Sequence, residues 1–227
     1  MIKERFGRDF DAFVLRMLPF VRNMRAEPDH LTLAGVALSG VAGGLFALGI
    51  APLAGVALLA AGFCDLTDGI VARQRGKSSL AGGFFDSSMD RLSDLLIFSG
   101  ILLGNVNRGE LGLAALTCVA LIGSVMTSYT RARAERHLKE FSVGLVERGE
   151  RFGVLVVFAL FDQLVWGLAL IAAGSTLTAL QRTLAARRLL DELEQTGQDP
   201  TQPPRDADFP DDPEAERGAT ARSGEES

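Results

Sequence analysis

Beyond residue 30 the chain alternates long apolar blocks with short polar breaks. The blocks cover residues 31–50, 52–71, 84–103, 111–129, 152–161 and 164–180, and the last carries on with helical character to Leu190. A helix needs about 20 apolar residues to cross a bilayer. Most of the blocks meet or approach that length, and the fifth is short. The pattern predicts an all-α integral membrane protein with six transmembrane helices. Residues 1–23 differ: Ile2, Phe6, Phe10, Phe13, Val14, Met17 and Val21 recur at helical spacing among Lys3, Arg5, Arg8, Arg16 and Arg22. That is the signature of an N-terminal amphipathic helix lying in the membrane interface, too charged for a signal peptide. Asp29 is placed to cap the first span, Pro52 suits the first turn of the second, and Asp162 and Gln163 read as a tight turn between the last two. Gly40 and Gly44 form a small-xxx-small pair in the first span, with Ser39 and Gly43 offset by one.

Composition sharpens this picture. Apolar residues make up 48% of 227, a fraction that soluble domains also reach, so the blockwise arrangement is what excludes a single soluble domain. Cys64 and Cys118 both lie inside apolar blocks, which excludes a disulfide scaffold. The net charge of −5 misleads: residues 191–227 hold 12 acidic and 3 basic residues, leaving 20 basic and 16 acidic in the rest. Three regions follow: an amphipathic juxtamembrane helix over 1–23, a six-helix body over 24–190, and an acidic tail over 191–227 too polar to fold. Arg73, Arg75, Lys77, Arg131, Lys139, Arg148, Arg151, Arg182, Arg187 and Arg188 fall on the side of the N-terminal helix, and Arg108 alone marks the opposite loops. The bias places both termini in the cytoplasm and the chain in the cell membrane.

Carboxylates stand where such a protein can least carry them. Asp65 and Asp68 are three apart near the end of the second block; Asp86 and Asp90 are four apart at the start of the third, followed by Asp94. Two adjacent antiparallel helices would turn the first four toward each other. Such a cluster repels itself unless neutralised, and hard oxygen donors suit Mg²⁺ or Mn²⁺; two ions would balance four charges. Paired metals are a device for phosphoryl displacement. Gly69, Ala72, Arg73, Lys77, Ser78 and Ser79 add a small, cationic, hydroxyl-bearing loop suited to an anion. The plainer alternatives are an interfacial helix cap for Asp65 or Asp68 and an ion pair of Asp94 with Arg91 or Arg73. A cation transporter would also line its path with carboxylates, but there is no inverted repeat, and it would not need Arg73.

Written out, the segment is Asp65-x2-Asp68-Gly69-x2-Ala72-Arg73-x8-Gly82-x3-Asp86-x3-Asp90. It resembles the signature of the CDP-alcohol phosphatidyltransferases at every fixed position. That resemblance covers about residues 1–190. It implies a homodimeric enzyme that moves a phosphatidyl-type group from a CDP-linked lipid to an alcohol and releases CMP. It further implies that Asp65, Asp68 and Asp86 ligate one metal and that Asp86 and Asp90 help hold a second. Asp90 would act as general base, with Asp29, Thr32, Gly69, Arg73 and Ser79 contacting the cytidine diphosphate.

The acceptor is addressed by the arginines. Arg131, Arg133, Arg148 and Arg151, with Arg182 beside them, exceed what topology asks for and suit a phosphate carried by the alcohol; topological anchoring is the plain alternative. Arg148 lies between spans and is expected not to pack a helix. Ser128-Tyr129-x-Arg131-Ala132-Arg133-Ala134-Glu135, followed by Glu147-Arg148-x-Glu150-Arg151, is similar to the phosphatidylinositol phosphate and archaetidylinositol phosphate synthases within that family. The likeness implies that Ser128, Arg131, Arg148 and Arg182 bind inositol 1-phosphate, with glycerol 3-phosphate as the alternative acceptor.

Overall fold

The computed structural model describes residues 27–74, 79–138, 141 and 143–195. The helix expected over 1–23, the loop residues Arg75 and Lys77, and the tail beyond Gln195 lie outside them. Among the described residues there are six helices and no strand: α1 (Pro28–Ala47), α2 (Ala51–Gln74), α3 (Leu80–Asn107), α4 (Leu111–Ala134), α5 (Arg148–Leu160) and α6 (Leu164–Gln195). Helix α6 therefore runs five residues into the stretch expected as tail.

Four helices, α1, α2, α4 and α6, are long and apolar enough to cross a membrane, which makes this an all-helical multi-pass membrane protein. The two that fall short do so for informative reasons. Helix α3 has 28 residues, about 42 Å of helix, but Asp86, Asp90, Arg91 and Asp94 crowd its first half. Helix α5 has only 13 residues, about 20 Å, and starts on a run of charges. The helices that depart from a plain span are those that carry charge into the interior.

Three tight turns set the up-and-down course. Gly49 (φ 79°) and Gly109 (φ 73°) close the α1–α2 and α3–α4 turns in the left-handed region, where glycine has no Cβ to clash. Asp162 (φ 56°) does the same between α5 and α6, at the turn expected there; aspartate is among the few side chains that tolerate this conformation. At the start of α1 the expectation fails in detail. Glu27 is the N-cap residue and Pro28 opens the helix, so Asp29 sits inside the first turn and contributes charge to it rather than a cap.

The helices pack as a ring, in the order α1, α2, α5, α6, α4, α3 and back to α1. Helices α2 and α3 are thus not the adjacent pair expected from the sequence: each packs along a different side of α1. One half of the ring is filled by an apolar core of Phe46, Leu58, Ile97, Phe98, Ile101, Leu155, Leu168 and Ile171. The other half contains the polar ends of all six helices. Close approach of α1 depends on a small-residue stripe one position away from the pair expected. A methyl group on Gly43 would come within 2.5 Å of the Leu96 carbonyl, and one on Gly100 would overlap the Gly43 carbonyl, whereas Gly44 has open space around it. Ser39 and Gly43 are buried in this contact and Gly35 faces α2.

Gly100→Val should therefore cost about 1–3 kcal/mol of stability, because backbone rather than a side-chain tip must move. Gly44→Ala should stay within about 0.5 kcal/mol of wild type. Unfolding of the detergent-solubilised protein would show both.

Candidate active site

The ring topology brings together the starts of α1, α3 and α5 and the ends of α2, α4 and α6. Asp65 and Asp68 lie on the last turns of α2, and Asp86 lies in the second turn of α3. Each offers one carboxylate oxygen, and the three oxygens lie within 4.8 Å of one another. Asp68 is buried at 6% exposure and accepts a 2.6 Å hydrogen bond from the Thr32 hydroxyl on α1. Three converging hard oxygens with no imidazole or thiolate among them fit a divalent cation of the Mg²⁺ or Mn²⁺ type.

Beside this triad opens a cleft of about 550 Å³. Its lining includes Asp29, Thr32, Gly69, Arg73 and Ser79, all five of the residues expected to contact a nucleotide, together with Asp68 and Asp86. Their local reasons differ. Ser79 is the N-cap of α3 and accepts a 3.0 Å bond from the Gly82 amide. Gly69 lets the Arg73 side chain fold back over it: a methyl group there would meet the guanidinium at 3.2 Å.

Asp90 does not join the triad. Its side chain faces α5, where Arg148 Nη1 stands 2.9 Å from it. The same nitrogen lies 3.2 and 3.3 Å from the two oxygens of Asp65. Arg148 therefore bridges α2 and α3, and it is the first residue of a helix rather than a loop residue clear of packing. Asp94 is answered chiefly from α5 rather than by Arg91 or Arg73. It faces Arg148 Nε at 3.8 Å and Arg151 Nη2 at 3.6 Å. Both of those nitrogens are buried and form no hydrogen bond among the described residues.

The remaining acceptor candidates gather around Thr127. Arg151 donates to its hydroxyl at 3.1 Å, and Arg182 donates to its carbonyl at 2.8 Å and to that of Val143 at 2.6 Å. Ser128 is the next residue on α4, half-buried. Arg131 lies one turn further on, paired with Glu135 at 2.7 Å and Glu147 at 3.6 Å. Glu147 and Glu150 form the capping box that starts α5, with the Glu147 amide donating to Glu150 at 2.8 Å. The glutamates of the second motif thus start the helix, and its arginines, three apart on that helix, point inward. Arg151 was read in the sequence only as one of several arginines suited to an acceptor phosphate, and Asp94 only as a member of an ion pair. Their i,i+3 and i,i+4 spacing to Arg148 and Asp90 was the available signal.

The chain belongs to the CDP-alcohol phosphatidyltransferase family, whose profile matches residues 25–190. It is 39% identical over 165 residues to the archaetidylinositol phosphate synthase of Pyrococcus horikoshii, covering 72% of this chain and 85% of that one. Among solved structures it is similar to the Mycobacterium tuberculosis phosphatidylinositol phosphate synthase with CDP-DAG bound. The TM-score is 0.68 at 27% identity, over 74% of this chain and 92% of that one. The same synthase in complex with manganese and citrate superposes with a TM-score of 0.67 at 27% identity, over 74% and 88% of the two chains. This chain is accordingly a membrane-bound phospholipid-synthesising transferase with a carboxylate triad suited to a divalent metal.

The two kinds of arginine should separate on mutation. Arg151→Ala leaves Asp94 buried with one partner fewer and should cost about 3 kcal/mol or more. Arg131→Ala removes only half-exposed pairs and should cost under about 1 kcal/mol. Thermal unfolding of the two purified variants makes the comparison.

Proposed function

We propose that the chain transfers the lipid-bearing phosphate of a CDP-linked lipid to inositol 1-phosphate and releases CMP. The observation that carries this reading is spatial. The carboxylate triad opens on a nucleotide-sized cleft on one side and, through Asp65, meets the Arg148 cluster on the other. A donor substrate and a phosphorylated acceptor can thus approach the same carboxylates from two directions. The printed names of the relatives support the inositol phosphate assignment. Glycerol 3-phosphate carries the same phosphate and remains the competitor to be tested.

On this reading Asp65, Asp68 and Asp86 would hold one divalent ion and Asp86 and Asp90 would help hold a second. Mg²⁺ is the ion proposed, with Mn²⁺ as substitute. Bound there, the ions would supply positive charge against the oxygens of the diphosphate and the departing CMP. Asp29, Gly69, Arg73 and Ser79 hold the cytidine diphosphate in the cleft, and Thr32 adjoins them. Ser128, Arg131, Arg148 and Arg182 receive the acceptor phosphate. Arg182 spends two donors on the Val143 and Thr127 carbonyls, which fixes its fork and leaves the rest for a ligand. Arg148 touches Asp90, so a phosphate bound to Arg148 brings its polyol next to that carboxylate. Asp90 takes the proton of the attacking hydroxyl; that oxygen bonds to the lipid-bearing phosphorus, and the bond from phosphorus to the CMP oxygen breaks.

The same reading counts α3 and α5 as spans and gives six in all. The arginine-rich end of the bundle faces the cytoplasm with both termini, in the cell membrane. The active form is a homodimer.

Purified protein given CDP-diacylglycerol, Mg²⁺ and equal amounts of inositol 1-phosphate and glycerol 3-phosphate should yield a lipid carrying inositol phosphate, identified by mass. Excess chelator should stop CMP release, and added Mg²⁺ or Mn²⁺ should restore it. A glycerophosphate product would reassign the acceptor and keep the family.

Asp90→Asn should retain CDP-lipid binding and lose turnover by roughly 10²- to 10⁴-fold. Binding by calorimetry and turnover by CMP release separate the two effects, and normal turnover would remove Asp90 from the mechanism.

A further inference from the structure

Thr32 lines the nucleotide cleft, and its hydroxyl is committed to another residue of that lining, Asp68. Its oxygen lies 2.6 Å from Asp68 Oδ2 and 3.2 Å from the Pro28 carbonyl one turn back. A hydroxyl has one proton, and the shorter contact to an ionisable oxygen takes it. Thr32 is 8% exposed and Asp68 6%, so water does not compete strongly for the bond. The backbone carbonyl of Pro28 plays a second part. In a helix a threonine can choose between two rotamers, one of which places its oxygen near the carbonyl four residues back. Here that rotamer is the one adopted, and it also aims the hydroxyl at α2.

We infer that Thr32 is a positioning residue for Asp68, acting through the carboxylate rather than on the nucleotide. The terminal torsion of an aspartate is broad, so a carboxylate with no fixed partner can rotate its plane. Asp68 comes from α2, and Thr32 holds one of its oxygens from α1, the helix that separates α2 from α3. The bond sets the angle at which Asp68 meets Asp65 and Asp86, whose oxygens converge with its own within 4.8 Å. Hydrogen bonds that orient ligating carboxylates are worth about 10- to 100-fold in metal affinity when removed. The inference rests on the proposed metal-ligating role of Asp68.

The test measures Mn²⁺ binding to the purified full chain by electron paramagnetic resonance, without CDP-lipid. Wild type, Thr32→Val, Thr32→Ser and Asp68→Asn are compared. Thr32→Val keeps shape and loses the donor, and it should weaken Mn²⁺ binding by about 10- to 100-fold. Thr32→Ser keeps the donor and should restore affinity to within about 3-fold of wild type, as expected if the hydroxyl carries the effect. If Thr32→Val does not fold, Thr32→Ala carries the same expectation. Unchanged Mn²⁺ affinity in the donor-less variant with a raised KM for the CDP-lipid would overturn the inference in favour of direct nucleotide contact. Failure of Thr32→Ser to restore affinity would overturn it too. Asp68→Asn separates the levels: wild-type Mn²⁺ affinity in that variant would sink the metal-ligating role itself, whereas a loss there beside a normal Thr32→Val would sink only the part given to Thr32.

Discussion

Asp68, Asp86, Asp90 and Asp94 are partly or fully withdrawn from water on largely apolar helices, and Asp65 stands more exposed beside them. A carboxylate taken out of water costs several kcal/mol unless charge or hydrogen bonds replace the lost hydration. The protein meets that cost in two ways at two depths. Nearest the cleft, Asp65, Asp68 and Asp86 converge on a point that fits a cation. One to two turns further along α3, Asp90 and Asp94 are met by Arg148 and Arg151 from α5. Helix α5 is short because it begins on those arginines. Its capping box supplies a helix start at the level where the guanidinium groups are needed. The shape of the helical ring follows from where these charges must be answered.

The ring also explains how α2 and α3 can share a site without packing on each other. Helix α1 runs between them and brings both close through its smallest residues, Gly35 toward α2 and Gly43 toward α3. Because the two flanking helices are held apart at their polar ends, space for a ligand remains between Asp68 and Asp86. Directly paired helices would have filled that space with side chains. The apolar half of the ring holds the spacing rigidly, since a close-packed interior transmits displacement rather than absorbing it.

Local chemistry made the apolar helices and the Asp162 turn legible in the sequence, and the family motif singled out five residues that line one cleft. Apolar blocks of span length have few other uses, and a motif with fixed spacing places its residues on one helix face or one loop. What escaped depends on contacts between helices. The first span offers two small-residue stripes, Gly40 with Gly44 and Ser39 with Gly43. They sit about 100° apart around the helix, and only the neighbours decide which one is used. The adjacency of α2 and α3 was inferred from chain order, and the ring overrides chain order by placing α1 between them. The arginines nearest Asp94 escaped for the same reason: besides Arg91 one turn back on its own helix, Asp94 is met by Arg148 and Arg151 of α5, more than 50 residues away.

Arg148 ties the two halves of the proposed chemistry together. A single guanidinium nitrogen reaches both Asp65 and Asp90, so whatever its fork binds on the other side is registered against both carboxylates. A planar fork with several fixed donors suits that task, because it can keep an aspartate on one edge while offering others to a phosphate. Under the proposed function the acceptor's phosphate is a handle: it contributes binding at the arginines and leaves the reacting hydroxyl to be positioned by the distance between handle and base. An unphosphorylated polyol would lack that anchor and would leave buried arginine donors without a partner, at a cost of about 1–3 kcal/mol for each group left unsatisfied. Preference for a phosphorylated alcohol then rests on what the site would lose with any other, and Arg148, already set against Asp65 and Asp90, marks where that loss would fall.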